Sequence, residues 1–180
     1  MSVLEAEIVK ISVNNYITMK ISFANSLLQL CDHFDQVNIH TVTQAIGMDS
    51  RIGSRYITAG APYGGPCFPR DTLAMSKLFK DFSISNSYPE LTSKINSDHT
   101  EFLVNKVLKF TTKEDVIGIL GVSYKTGTTV IDESPGVSLA ASLLNNGMKV
   151  YTWDDQNVKV PNFSNIDLDL NQILELCDFL

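Results

Sequence analysis

The stretch "VLEAEIVKISVNNYITMKISFANSLLQLCDHF", residues 3–34, decides how the first part of the chain is interpreted. It contains neither proline nor glycine, and its apolar side chains recur at the spacing of a helix. These side chains are Ile8, Ile11, Tyr16, Met19, Phe23, Leu27 and Leu30. Because so long a helix is unusual in a globular protein, the pattern indicates a partner that lies along it.

The helical character continues as far as residue 110. Further helices are predicted from Asn38 to Ile46, with Gly47 as the stop, from about Pro69 onward, and from Pro89 to Phe110. The pattern then changes to short apolar runs. Strands are predicted at "DVIGILGV" and "KVYTWDD", and helices at "SPGVSLAASLLNNG" and "LDLNQILELCDFL".

This order of elements predicts an α+β or α/β fold with two domains. Residues 1–112 form a mainly helical domain, and residues 113–180 form a partial Rossmann-like domain whose strand–helix–strand order makes a right-handed parallel unit. Because an open parallel sheet of two strands is undersized, we expect the second domain to be truncated.

Composition and charge exclude several classes of protein. Of the 180 residues, 44% are hydrophobic and 19% are charged, which is typical of a soluble globular chain. The net charge of −6 argues against a nucleic-acid partner. No apolar run is long enough to span a membrane, and the N-terminus does not resemble a signal peptide. The three cysteines show no disulfide framework, which favours a reduced, cytoplasmic setting.

The stretch "APYGGPCFPRD", residues 61–71, places Cys67 at a predicted helix start. Free backbone N–H groups there, together with Arg70, stabilise a thiolate, and Asp71 follows one turn later on the same face. Such a pair suits covalent catalysis, in which the thiolate attacks a carbonyl and the carboxylate positions water. The alternative is a small buried cysteine in a tight turn, with Asp71 capping the helix.

Lys10 and Asn14 are four residues apart and therefore share a face of the first helix. A lysine and an amide on an otherwise apolar face suit an oxyanion or a hydroxyl group. The alternative is a lysine that faces solvent beside ordinary polar surface.

A cysteine hydrolase is a further class, with Cys67 paired to His33, His40 or His99. None of these histidines lies in a recognisable partner motif. No pair of residues has the spacing of zinc ligands, so no metal is expected.

Four stretches together resemble the UDP-glucose/GDP-mannose dehydrogenase family. They are "AEIVKISVNNYITMKISFANS", "AIGMDSRIG", "APYGGPCFPRD" and "ILGVSYKTGTTVIDESP". The resemblance covers the central helical domain and the opening of the C-terminal domain. It implies an NAD-dependent oxidoreductase that converts the C6 alcohol of a nucleotide sugar to the acid in two steps, as a homodimer formed through the long helix.

The resemblance also implies roles for individual residues. Cys67 takes the aldehyde as a thiohemiacetal and then forms a thioester, Lys10 stabilises the oxyanion or acts as acid and base, and Asn14 and Asp71 hold the hydroxyl and the hydrolytic water. The implied substrate-binding residues are Arg51 (across the dimer interface), Tyr56, Thr58, Tyr63, Gly64, Gly65, Tyr124 and Lys125. The implied cofactor-binding residues are Cys67, Phe68, Arg70 and Asp132.

The chain departs from the family pattern in three places. It has no GxGxxG fingerprint of an N-terminal NAD domain, so we expect a fragment that is inactive alone. Asp132 stands where an arginine is usual, and Thr58 stands where some members have a lysine. Two alternatives stay open: a catalytically incompetent dimerisation core, and a dehydrogenase for UDP-N-acetyl-hexosamine or GDP-mannose.

Overall fold

The computed structural model describes residues 1–85, 87–161, 163 and 169–180. Its elements follow the order α1 (Val3–Cys31), α2 (Ile39–Met48), α3 (Phe68–Asp81), α4 (Tyr88–Phe110), β1 (Val116–Leu120), α5 (Pro135–Asn145), β2 (Lys149–Trp153) and α6 (Leu170–Leu176). The predicted fold class is confirmed, because a mainly helical chain with a long first helix carries a small parallel sheet. None of the helices in the described ranges is long and apolar enough to cross a membrane.

The chain divides into two compact units, Met1–His99 and Thr100–Leu180. The division falls inside α4, whose Val104 is buried in the core of the second unit. The domains predicted from the sequence, residues 1–112 and 113–180, instead have their boundary after this helix. Their assignment to dimerisation and to nucleotide binding stays a prediction.

Caps and close approaches set the helix ends in the first unit. Ser2 and Glu5 form a capping box at the start of α1, and Asn38 caps α2 as predicted. The prediction that Gly47 stops α2 is wrong, because the helix continues to Met48. Gly47 is instead a packing glycine, since a Cβ there would lie 3.0 Å from the backbone of Ser54.

The second unit is a parallel sheet with helices. β1 and β2 pair in parallel from Val116 with Lys149 to Leu120 with Trp153. The predicted last helix was too long: α6 ends at Leu176, and Gly118 donates from its amide to the carbonyl of Phe179 at 2.8 Å. The chain end therefore extends the sheet on the other edge of β1. Leu168, where that predicted helix began, lies outside the described residues.

Two glycines bring α5 close to the end of β1. A Cβ on Gly136 would clash with the carbonyl oxygen of Gly121, so no larger residue fits without moving the backbone. Gly121 has a φ of 96°, in the region that favours glycine. The core beneath them is apolar, with Val104, Ile117, Ala140, Leu143, Met148 and Val150 in one cluster.

Candidate active site

Cys67 is the N-cap residue of α3 and carries an exposed, free thiol. The alternative of a buried cysteine in a tight turn is therefore wrong for this residue. The amide of Asp71 donates to the Cys67 carbonyl at 2.9 Å, which places Asp71 one helical turn beyond the thiol. Asp71 does not cap the helix with its side chain, because that side chain bonds to residues of α1.

Asp71 of α3 accepts hydrogen bonds from side chains of α1. Its Oδ2 accepts hydrogen bonds from Lys10 Nζ and Asn14 Nδ2, each at 2.6 Å. Its Oδ1 accepts from Arg70 Nε at 3.4 Å, and its backbone carbonyl accepts from Asn15 Nδ2 at 3.1 Å. Three of the four predicted catalytic residues thus meet at one carboxylate, and the fourth, Cys67, is one turn away on the same helix.

The charges in this cluster are unequally buried. The Asp71 side chain is 6% exposed, whereas that of Lys10 is 57% exposed. Burial by itself raises the pKa of Asp71, but hydrogen bonds from Lys10 and Asn14, the charge of Lys10 and the contact with Arg70 outweigh it and hold the pKa below the ordinary 3.8. Asp71 is therefore an anion at neutral pH, and it fixes an ammonium group that solvent can still reach.

The loop before Cys67 is turned by Gly65, whose φ of 81° favours glycine. Tyr63 is buried, and its ring meets Phe68 edge to face with centroids 6.4 Å apart. Burial raises the pKa of the Tyr63 hydroxyl above its ordinary value of 10.0, against hydrogen bonds to Ser93 and Thr72. Gly64 is half-buried beside them, so these predicted substrate and cofactor residues share one short segment.

The other predicted substrate residues of the first unit lie on the surface. Arg51 pairs with Asp49 at 2.6 Å, and most of its side chain is exposed. Tyr56 and Thr58 are also exposed, on either side of the buried Ile57. Tyr56 has a φ of 64°, a strained conformation that is uncommon for a large side chain and clusters at functional sites.

Tyr124, Lys125 and Asp132 belong to the second unit. Tyr124 donates from its amide to the Val130 carbonyl at 2.9 Å, which closes the loop that follows β1, and Lys125 and Asp132 are exposed on that loop. Asp154 anchors the same loop through the amides of Val122 and Ser123.

Both carboxylate oxygens of Asp154 bind backbone amides. Oδ2 accepts from Val122 and Ser123 at 2.9 and 2.8 Å, and Oδ1 accepts from Gln156 at 3.0 Å. Burial opposes ionisation, but these amides lower the pKa of Asp154 below the ordinary 3.8. Asp154 is thus occupied in anchoring the loop.

Sequence reasoning missed several polar residues around the site. Lys20 of α1 donates to the carbonyls of Ile52 and Gly53 at 3.0 and 3.3 Å, which holds the Arg51 loop. Asn25, Asn96 and His99 bind the loop before Cys67. For Asn25 the available signal was the helical spacing of Asn15, Thr18, Ser22 and Asn25, which places these polar residues on one face of α1. Lys20, Asn96 and His99 lie outside that pattern.

Among the described residues, no hydrogen bond joins the Cys67 thiol to a histidine. His33 and His40 are exposed, and His99 is fully buried with both ring nitrogens hydrogen-bonded, to Gln29 and Gly60. Within the described ranges, no group of three metal-binding side chains is present.

Comparison with known proteins identifies the family of this chain. Residues 4–98 match the model of the UDP-glucose/GDP-mannose dehydrogenase family, central domain. The chain belongs to this family. The matched range contains Cys67, Asp71, Lys10 and Asn14.

Relatives of the family support the match over nearly the whole chain. UDP-glucose 6-dehydrogenase of Rickettsia bellii is 31% identical over an alignment of 179 residues that covers 96% of this chain and 41% of the relative. UDP-glucose dehydrogenase of Pyrobaculum islandicum superposes with a TM-score of 0.88 at 30% identity, covering 98% of this chain and 42% of that one. UDP-D-ManNAc dehydrogenase of Pyrococcus horikoshii, 22% identical with a TM-score of 0.74, covering 97% of this chain and 40% of that one, shows the shared fold alone. The chain thus spans about two fifths of the length of these relatives.

Proposed function

We propose that this chain carries the catalytic cysteine of an NAD-dependent nucleotide-sugar 6-dehydrogenase that acts on UDP-glucose. One observation carries the proposal: an exposed Cys67 thiol stands one turn from Asp71, which binds both Lys10 and Asn14. Membership of the family and the identity to UDP-glucose 6-dehydrogenases support the substrate class.

The proposed reaction uses Cys67 as a covalent nucleophile. After the C6 alcohol has lost a hydride and a proton, the Cys67 sulfur adds to the aldehyde carbon and forms a thiohemiacetal. The Lys10 ammonium stabilises the negative charge on the former carbonyl oxygen. Loss of a second hydride gives a thioester. Water, held by Asp71 and Asn14, then attacks the carbonyl carbon, the C–S bond breaks, and the acid and the thiol are released.

NAD⁺, when bound, accepts one hydride in each oxidation. The residues at the start of α3 fit one edge of such a cofactor, because the exposed Cys67 and Arg70 flank the half-buried ring of Phe68. Asp132, on the second unit, is the remaining proposed contact. Since the sequence contains no GxGxxG motif, we assign to this chain only these contacts.

We also propose that α1 forms a homodimer interface. Its buried residues are small or polar, such as Asn15, Thr18 and Ser22, whereas large apolar side chains are exposed along it. The exposed ones are Ile8, Val9, Val13, Tyr16, Met19, Phe23 and Leu30. A large exposed apolar face typically marks an interaction surface. The exposed Arg51 and Tyr56 would then reach a nucleotide sugar from this face, in a cytoplasmic setting that keeps the free thiols reduced.

The test is a chimera in which this chain replaces the matching segment of the Rickettsia bellii relative. We expect UDP-glucose to be oxidised to the acid, with NADH followed by absorbance and the acid by mass spectrometry. Cys67→Ala should lower acid formation by about a thousandfold or more, whereas Cys177→Ala, the matched control in the second unit, should leave it unchanged. Full acid formation by the Cys67→Ala chimera would contradict the thioester route.

Other outcomes decide between the alternatives. Faster turnover of a UDP-N-acetyl-hexosamine or of GDP-mannose would replace the proposed substrate. A dimeric chimera that binds neither UDP-glucose nor NAD, measured by calorimetry, would support a dimerisation core without catalysis.

A further inference from the structure

Side chains from two helices bind the backbone of residues 60–63, just before the cysteine loop. Asn25, buried on α1, accepts from the Gly60 amide through Oδ1 at 2.9 Å and donates through Nδ2 to the Ala61 carbonyl at 3.2 Å. One amide side chain thus binds backbone groups of two successive residues.

Asn96 of α4 binds the same segment two residues later. Its Oδ1 accepts from the Tyr63 amide, and its Nδ2 donates to the Tyr63 carbonyl, each at 2.9 Å. Both backbone groups of Tyr63 are therefore held by one side chain. The ring of Tyr63 packs on Phe68, which follows Cys67 in the chain. The position of Tyr63 therefore affects the position of the first residues of α3.

His99, also on α4, completes the set from a fully buried position. Its Nε2 lies 2.8 Å from the Gly60 carbonyl, which can only accept, so Nε2 carries the hydrogen. Its Nδ1 is then the acceptor for the Gln29 amide at 3.1 Å. Burial lowers the pKa of His99, which agrees with this neutral tautomer.

Buried polar groups of this kind are costly to assemble, and they define one geometry when every member is satisfied. Apolar contacts would be sufficient to bury a loop whose exact geometry did not matter. Here the hydrogen bonds are concentrated on the four residues that lead into the turn at Gly65 and the thiol.

We propose that Asn25, Asn96 and His99 are positioning residues that hold segment 60–63 and thereby set the place of Cys67. They do not touch the reacting atoms. They act through the backbone and through the Tyr63 ring. The inference rests on the proposed function only for its kinetic readout.

The first test uses the chain itself and needs no catalysis. His99→Phe keeps an aromatic ring but removes the donor to Gly60, and His99→Gln keeps a side-chain N–H. Thr43→Val is the matched control, because Thr43 is buried in the same unit and its hydroxyl donates to carbonyls of its own helix α2. Hydrogen exchange of the amides of Gly60 and Tyr63 is measured together with iodoacetamide alkylation of Cys67 and of Cys177, the internal reference.

We expect His99→Phe to raise amide exchange in residues 60–63 about tenfold or more. The Cys67-to-Cys177 ratio of alkylation rates should change at least about threefold, because the exposed thiol moves when segment 60–63 no longer fixes the start of α3. His99→Gln should restore most of both changes, and Thr43→Val should alter neither. A folded His99→Phe with wild-type exchange and a wild-type ratio would overturn the proposal. If His99→Phe does not fold, Asn96→Ala is judged by the same two measurements.

The second test uses the chimera. His99→Phe should lower kcat about tenfold or more with little change in KM for the nucleotide sugar, since the nucleophile rather than the sugar is misplaced. An equal rise in KM without loss of kcat would contradict a role in placing Cys67. A chimera that forms no acid at all would refute the proposed function, whereas the alkylation and exchange results would still decide the positioning role.

Discussion

The two units of this molecule bury opposite kinds of side chain. In the second unit the buried residues are mostly apolar, namely Val104, Ile117, Val122, Ala140, Leu143, Met148, Val150, Val160 and Ile173. In the first unit they are mostly polar, namely Asn15, Thr18, Ser22, Asn25, Thr43, Asp71, Thr72, Ser76, Ser87, Thr92 and His99. The first unit also keeps most of the large apolar side chains of α1 on its surface.

The two kinds of interior suit the different structures that the two units contain. Apolar packing is non-directional and stabilises a sheet with its covering helices over many small contacts. Hydrogen bonds have preferred directions, so a polar interior fixes the loop and the helix start that carry Cys67. The first unit therefore buries polar side chains, and the apolar face of α1 is exposed.

The largest expected effect is in the second unit. Leu143 is fully buried in its cluster, so Leu143→Ala should lower the free energy of unfolding by about 3 kcal/mol. Thr18→Ala, at an equally buried position of the first unit, removes a hydroxyl that donates to the Asn15 carbonyl and lies 3.4 Å from the Thr72 hydroxyl, and should cost only about 1 kcal/mol. Urea unfolding followed by hydrogen exchange in each unit measures both. Equal losses would mean that the units do not differ in what stabilises them.

A smaller effect is expected where α1 meets α3. Asp71→Asn keeps the shape but removes the charge that binds Lys10 and Asn14, and should cost about 1–2 kcal/mol at neutral pH. Lys10→Met should cost less, about 0–1 kcal/mol, because the lysine side chain is largely exposed and water screens its charge. Chemical denaturation gives both values.

The pH dependence of stability separates the contribution of the Asp71 charge from that of its shape. Since the folded pKa of Asp71 is lowered, its stabilisation is present above the ordinary 3.8 and is lost as the pH falls through the folded value. Asp71→Asn should therefore remove part of the acid sensitivity of the first unit. An unchanged acid profile in that variant would show that the charge of Asp71 does not stabilise the fold.

The sequence predicts those features of the molecule that depend on local patterns. Helical spacing located α1 and placed Lys10 and Asn14 on one face of it, and Pro69 located the start of α3, because these are local patterns. The contact between Lys10 and Asp71 joins residues far apart in the chain. Local periodicity carries no information about such a contact, so only the family resemblance put these residues in one site.

Prediction failed where long-range contacts override local preference. Gly47 reads as a helix stop but lies inside α2, where its lack of a side chain leaves room for the backbone of Ser54. Cys177 follows a helical pattern, yet the chain there leaves α6 to pair with β1. His99 reads as a mid-helix polar residue, and nothing local to it reveals that it binds the carbonyl of Gly60.

The smallest expected effect is a difference in pH sensitivity between the units. Burial holds the folded pKa of His99 below its ordinary 6.5, so the unfolded chain takes up this proton first as the pH falls. The first unit should therefore lose stability as the pH falls below 6.5 towards the folded value. In the second unit Asp154 begins to lose its contribution only below its ordinary 3.8.

Hydrogen exchange at several pH values between neutrality and pH 4, corrected for the intrinsic exchange rate, measures this difference unit by unit. Protonation of His99 would place an N–H against the amide of Gln29, so residues 60–63 should open before the rest of the first unit. His99→Gln, which has no titrating ring, should flatten the profile of the first unit and leave that of the second unchanged. Two results together would contradict this prediction: both units lose protection in parallel, and His99→Gln behaves as wild type. The protonation of His99 would then not determine the pH at which residues 60–63 open.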